Sequence, residues 1–246
     1  MAGDLQHDND SIENDSTESA DGHGPGQAIG APSERTVVHR LGERASYELD
    51  QIRAILDEGF VCHLGFNGRD GRPVVIPTTY GRLGDTVYVH GSPAAGMVRS
   101  LKDGLDVSMA VTHVDGLVLA RSAFHHSINY RSVVLFGMAR EVTDLAEKAA
   151  ALDAIVEHIV PGRRALLRPN TKKELAATSV LALGLHEASA KVRSGPPVDD
   201  EEDLSATVWA GELPLRVQTS TPVPDQFNSV AVPAHVLEYQ RRGLTR

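Results

Sequence analysis

The sequence predicts a mainly β protein, an antiparallel barrel with helices packed outside it. Short runs of alternating apolar residues follow one another through turns rich in Gly, Asn and Asp. The strand–helix alternation that a parallel doubly wound sheet requires is absent. A hydrophobic content of 41% over 246 residues is enough to bury a real core. Closing such strands into a barrel also removes the exposed edges an open sheet would present.

The elements read in order as follows. Residues 1–33 are Asp, Ser, Gly and Asn with hardly a hydrophobe, so residues 1–34 are expected to be a disordered acidic tail. Ser46 is placed to cap a helix whose Leu49, Ile52, Ile55 and Leu56 share one face, and Gly59 stops it. A strand then alternates through Phe60, Cys62, Leu64 and Phe66. The turn Asn67-Gly68-Arg69-Asp70-Gly71 leads into a β-branched strand, Val74 to Tyr80. Pro77 inside that strand lacks a backbone donor and marks an edge or an interrupted ladder. A turn at Gly81–Asp85 precedes a strand at Thr86–His90, and a short helix is expected around Met97–Leu101. A strand from Leu105 to Thr112, a turn at Asp115-Gly116 and a strand at Ser132–Val142 follow. Thr143 or Asp144 opens a longer helix with Leu145, Ala149, Leu152, Val156 and Ile159 inward, ended by Pro161-Gly162. Thr171-Lys172-Lys173-Glu174 is a capping box, and Val180–Val192 reads as one long final strand. Residues 35–217 thus form the domain, and residues 218–246 a weakly ordered extension.

Charge and motifs exclude several function classes. Of the net charge of −9, eight units come from acidic residues in 1–34, a stretch without Lys or Arg, leaving −1 for the rest. A near-neutral domain has no basic field for nucleic acid. A single cysteine, Cys62, excludes an intrachain disulfide and reads as a small buried hydrophobe. Neither a membrane-spanning apolar run nor a secretory signal is found, so a cytoplasmic protein without membrane association is expected. The nucleophile elbow, the P-loop and the dinucleotide fingerprint are all missing.

Two segments can carry ligand chemistry. Tyr88-Val89-His90-Gly91-Ser92-Pro93-Ala94-Ala95-Gly96 opens from a strand end into a helix start, where free amides attract anions. His90 and Ser92 can donate to the same oxygens, and Arg99 follows one turn into the helix. The stretch from Asp115 to Ser132 packs Phe124, His125, His126, Asn129, Tyr130 and two arginines into a strand-flanked polar run, groups suited to a ring system with a charged tail. Adjacent His125 and His126 point apart and do not share one metal, but a single axial histidine to haem is compatible with either.

Taken together, these features resemble the pyridoxamine 5′-phosphate oxidase-like proteins, specifically the subgroup of 5-nitroimidazole reductases and flavin-nucleotide-binding proteins. The resemblance rests on Arg72-Pro73-Val74-Val75-Ile76-Pro77-Thr78, on Tyr88 to Ser92, and on Ser122 to Ser132 as its most specific part. Trp209-Ala210-Gly211 with Pro214 adds to it. It implies a split barrel, a homodimer, and FMN in a groove between the subunits. Val75, Ile76, Pro77 and Thr78 would run beside the isoalloxazine ring. His90, Gly91 and Ser92, assisted by Arg99, would lie near the phosphate. Tyr130 and Arg131 would line the pocket, and no metal site is implied. One departure stands out: Ala94-Ala95-Gly96 replaces the basic pair of related proteins. Such a charge-assisted contact is worth ~1.5–3 kcal/mol. The expected function is an FMN-dependent oxidoreductase acting on a small organic acceptor. The alternative is a non-catalytic protein that stores or senses flavin or haem, with His90, His125 or His126 as haem ligand.

Overall fold

The computed structural model describes residues 30–68, 70–92 and 104–239. Nine strands make one antiparallel sheet: β1 (Ala45–Ser46), β2 (Val61–Asn67), β3 (Pro73–Leu83), β4 (Thr86–Gly91), β5 (Leu105–Leu119), β6 (Ser127–Glu141), β7 (Ser179–Gly184), β8 (Glu187–Arg193) and β9 (Gly211–Pro214). Their order is β1-β8-β6-β7-β4-β3-β2-β5-β9, and an additional β5–β6 pairing closes six of them into a ring. Going round, that ring is β3, β2, β5, β6, β7 and β4. β8 and β1 extend it from β6, and β9 sits on the far part of β5.

The inner face follows from the period of two. Cys62 and Leu64, Val107, Met109 and Val111, Val133 and Leu135, and Ala188 and Ala190 are all buried in one cluster. Helix α1 (Leu49–Glu58) adds Ile52, Ile55 and Leu56 to it. Three ring groups satisfy the carbonyls left over at the end of α1. Tyr80 Oη donates to the Leu56 carbonyl at 2.5 Å, His113 Nε2 contacts the Ile55 carbonyl at 2.9 Å, and His158 Nε2 contacts that of Gly59 at 2.6 Å.

A second cluster lies outside the ring. Helix α2 (Leu145–Ile159) is capped by Asp144, whose carboxylate accepts from the Glu147 N–H at 2.7 Å. It lays Ala151 and Ile155 against Tyr88, Val180 and Ala182. Gly81 lets it approach closely, because a Cβ there would stand 2.7 Å from the Ile155 backbone. The capping box at Thr171 starts α3 (Lys172–Ala177) as expected, with Glu174 N–H to Thr171 Oγ1 at 3.2 Å and Thr171 N–H to the Glu174 carboxylate at 2.8 Å. A short α4 (Ala234–Leu237) lies near the end of the chain.

Several local expectations are corrected. Ser46 belongs to β1 and α1 starts after Glu48, since the Ala45 and Ser46 backbone is committed to pairing with Lys191 and Ala190. The strand alternating through Cys62 begins at Val61, leaving Phe60 exposed. β3 runs on to Leu83, so its turn is Gly84-Asp85 alone. Asp115-Gly116 is no turn: β5 continues through it, with a register shift between Val114 and Gly116, and β6 already begins at Ser127. The final strand is two strands, β7 and β8, broken at Leu185-His186. Leu145 is exposed, while Leu152 and Ile159 pack as expected around Ala151 and Ile155, which are the buried centre of the inner face of α2. The helix expected around Met97–Leu101, with Arg99, lies outside the described residues, as do residues 1–29 of the acidic tail.

Candidate functional site

The ring opens between β3 and β4, and the strand registers locate the opening. β3 and β4 pair only from Tyr80↔Val89 to Leu83↔Thr86. Beyond Val89, β4 continues against β7 alone, through His90↔Val180 and Gly91↔Ser179. Before Tyr80, β3 continues against β2 alone, from Val61↔Thr79 to Asn67↔Pro73. The two strands therefore part, with Val75, Ile76, Pro77 and Thr78 bordering one side of the opening and His90, Gly91 and Ser92 the other. Pro77 falls on the half of β3 with strand pairing on one side only, as its missing donor required. Val75 and Pro77 face outward and are exposed, whereas Ile76 packs against the core.

Beside the split lies a sheet face that α2 does not cover. Register places Pro77, His63 and Ala110 side by side across β3, β2 and β5, with Val75, Gly65 and Ser108 in the next row. His63 and Val61 are exposed there. A Cβ on Gly65 would meet Ser108 Oγ at 2.7 Å, so this row is kept small. Sequence reasoning missed His63, although its outward position was readable from the alternation that buries Cys62 and Leu64.

Tyr130 and Arg131 sit elsewhere. They lie on β6, three strands round the ring from β3, or roughly 14 Å at the usual strand spacing. As neighbours on a strand they point to opposite faces. Arg131 is held by Asp115 at 2.8 and 2.9 Å and by Glu58 at 2.5 Å. Bonds to the Asp115 carboxylate, more than the opposing effect of burial, raise its guanidinium above the ordinary arginine range. This ion cluster forms one wall of a cleft of about 340 Å³ along β5, between Phe60 and Val61 on one side and Leu215 to Val217 on the other. β5 pairs with β2 up to Ala110 and with β9 from Gly116, so the cleft occupies the gap between them.

The histidine-rich loop before β6 is clamped from across the chain. Arg121 donates to Asp199 from its backbone N–H at 2.7 Å and its guanidinium at 2.8 Å. Burial alone would push the Asp199 carboxyl up, but these Arg121 contacts outweigh it and hold the group below the usual range. His125 Nε2 meets Asp200 at 3.0 Å. His126 differs: its Nδ1 contacts the Ser122 carbonyl at 2.8 Å, the arrangement that fixes an imidazole with Nε2 directed away. Among the described residues there is no group of three or more His, Cys, Asp or Glu placed to hold a metal ion. No helix among them is long and apolar enough to cross a membrane.

A ring of antiparallel strands opened between β3 and β4, with an outer helix on one half, is a split barrel. The family model for pyridoxamine 5′-phosphate oxidase matches residues 48–192. The chain belongs to the pyridoxamine 5′-phosphate oxidase-like family. It is similar to the flavocytochrome Anf3 from Azotobacter vinelandii, at 43% identity and a TM-score of 0.79, covering 85% of this chain and 97% of that one. It is also similar to an FAD and haem binding protein from Mycobacterium smegmatis, at 36% identity and a TM-score of 0.75, covering 79% and 96%. No curated protein matches the chain.

Proposed function

We propose that this protein binds a flavin in the split between β3 and β4, works as a redox protein with a small organic acceptor, and carries a haem as well. The observation that supports the reading is the parting of β3 and β4, which leaves Val75–Thr78 on one side of an opening and His90–Ser92 on the other, seven of the residues expected to hold a flavin. The two similar proteins named for a flavocytochrome and for FAD and haem support both cofactors, over nearly the whole domain.

The residues fit a flavin. β3 offers backbone groups along Val75 to Thr78, and Ser92 and His90 offer donors to a phosphate. The flavin supplies hydride and electron transfer when bound, while the protein orients it and limits access. The residues also fit a haem iron: of the three histidines expected from sequence, His90 is exposed at the mouth and His126 is anchored through Nδ1. His125 is the poorer donor because Asp200 holds its Nε2.

The reading includes a homodimer built on the uncovered face around His63. Tyr130 lies on β6, which borders neither side of the split in its own chain, so we assign it to a flavin held against a second subunit. The flavin expected from sequence is FMN, and the Mycobacterium smegmatis protein names FAD. The visible spectrum of the purified protein tests the proposal: flavin bands with a Soret band are expected, and chromatography of the released flavin separates FMN from FAD. A colourless protein that takes up neither flavin nor hemin would overturn it.

A further inference from the structure

The cleft along β5 shares no residue with the opening between β3 and β4, and its apolar wall comes from three separate stretches of chain. Phe60, Val61, Val114, Leu215 and Val217 line it, and each of these large side chains is exposed. Apolar side chains scattered singly over a surface are ordinary, whereas a group converging on one concavity is the composition of a ligand site. β5 itself forms the floor. Pairing with β2 stops at Ala110 and pairing with β9 starts at Gly116. From Val111 to Val114 the strand therefore has β6 on one edge and, among the described residues, no strand on the other.

The polar end of the cleft is balanced in charge. Arg131 and Arg216 border it together with Glu58 and Asp115, so cations and carboxylates cancel. An entering anion would meet the carboxylates that already hold Arg131, and an entering cation would meet the guanidinium groups. Hydrogen-bonding capacity nevertheless remains. Arg131 spends three N–H groups on Asp115 and Glu58, and a guanidinium carries five. His113 Nε2 lies 2.9 Å from the Ile55 carbonyl. A carbonyl only accepts, so this nitrogen carries the hydrogen and Nδ1 of the neutral ring is left as an acceptor. His113 and Arg131 are cross-strand partners, so their side chains leave the sheet on one face with Cβ atoms about 5 Å apart. An acceptor and a donor thus stand side by side at the end of an apolar slot.

We propose that this cleft binds a small uncharged ring compound with an N–H beside a carbonyl, the lactam edge of pyridones, quinolinones and pyrimidine-type bases. The carbonyl accepts from Arg131, the N–H donates to His113 Nδ1, and the ring lies between Phe60 and Leu215. A volume of about 340 Å³ falls at the lower end of the range for small-molecule sites, which suits one ring or two fused rings. An extended peptide is the poorer occupant, because the unpaired stretch spans only about 14 Å before β2 or β9 blocks it. The inference rests neither on the cofactors nor on the dimer of the proposed function.

Titration of the full-length protein with 2-quinolinone, followed by saturation-transfer NMR, tests the site. Saturable binding with a dissociation constant of about 0.3 mM or tighter is expected for a ligand of this size. 1-Methyl-2-quinolinone, which lacks the N–H, and quinoline-2-carboxylate, which is charged, are each expected to bind about fivefold more weakly or worse. Phe60→Ala with Leu215→Ala, both changed where the side chains reach solvent, is expected to keep the parent's circular dichroism and to weaken 2-quinolinone at least tenfold. Met138→Ala, at the other end of the β5–β6 ladder, is expected to leave it unchanged. A parent protein that does not bind 2-quinolinone, or that binds the N-methyl analogue equally well, overturns the proposal. Unchanged affinity in the double variant puts the probe elsewhere and overturns it as well. Displacement of the probe by FMN would merge the cleft with the flavin site and overturn it as a separate one. Flavin and Soret bands in the spectrum of the purified protein stand or fall independently of all these outcomes.

Discussion

Replacing Gly81 with Ala tests why one half of the outer face is closed and the other open. The new methyl would stand 2.7 Å from Ile155 Cα and N and 2.8 Å from the Ala154 carbonyl carbon, all backbone atoms of α2. Carbon contacts relax at ~3.5–4.0 Å, so α2 has to retreat by about 1 Å. A gap of that size forfeits a quarter to a half of the dispersion between Ala151, Ile155 and the Tyr88, Val180 and Ala182 surface beneath them. Overpacking of this kind costs about 1–3 kcal/mol, or roughly 2–12 °C in melting temperature for a domain of this size. Gly42→Ala is the control, because nothing lies within 4 Å of a Cβ there. Thermal unfolding followed by far-UV circular dichroism is the assay. If Gly81→Ala melts together with Gly42→Ala, the close approach of α2 is not what seals this half of the barrel.

The remaining expectations concern the ion clusters and the thiol. Arg131→Met removes the guanidinium that bonds both Glu58 and Asp115, and is expected to lower stability by about 1–2 kcal/mol in urea titrations, discounted for partial exposure. Adding Asp115→Asn should recover part of that loss, and a double variant as unstable as the single one would show that the carboxylates left without their cation are not the cause. The depressed Asp199 carboxyl makes the Arg121 clamp fully present above the ordinary aspartate value near ~3.9, and lost as pH falls through its lower folded value. The destabilisation caused by Asp199→Asn should therefore be constant from pH 7 to 5 and shrink below pH 4; a cost that already fades by pH 6 would contradict this. Cys62 should resist alkylation at pH 8 until the protein is unfolded by denaturant, and rapid native modification would show that the strand opens locally.

How much of this was legible in the sequence depends on whether the signal was local. The period of two through Cys62 and Leu64, the helical face of Ile52, Ile55 and Leu56, and the Thr171 capping box are set by near neighbours and were readable. Asp115-Gly116 has the composition of a turn, but Gly116 pairs with Asn129 of β6 on one edge and with Pro214 of β9 on the other, which carries the strand straight through it. Ser46 would cap a helix in isolation, yet its backbone is claimed by a strand partner at Ala190. The β3–β4 split was visible only as Pro77 and a Gly-containing strand end, since the parting is a matter of register. His63 was passed over because a lone outward histidine on a strand gains meaning only once Pro77 and Ala110 are known to flank it.

The open half of β3 also shows how one edge can be left available without inviting aggregation. An unpaired strand edge is a template for another strand, and proteins blunt such edges with prolines. Pro73 and Pro77 lie four residues apart, so they share one parity of the strand with Val75 and Thr79. The β2 ladder runs unbroken past both prolines, from Asn67↔Pro73 to Val61↔Thr79, as it does when nitrogens without a hydrogen point away from the paired side. A strand added at the open side would then miss a donor at each proline. A small ligand asks for less: Val75 keeps its N–H between them, and the carbonyls of the same parity remain acceptors. An edge of this kind disfavours a second strand while leaving enough polar backbone for one planar ring, which is the occupant the proposed function assigns to it.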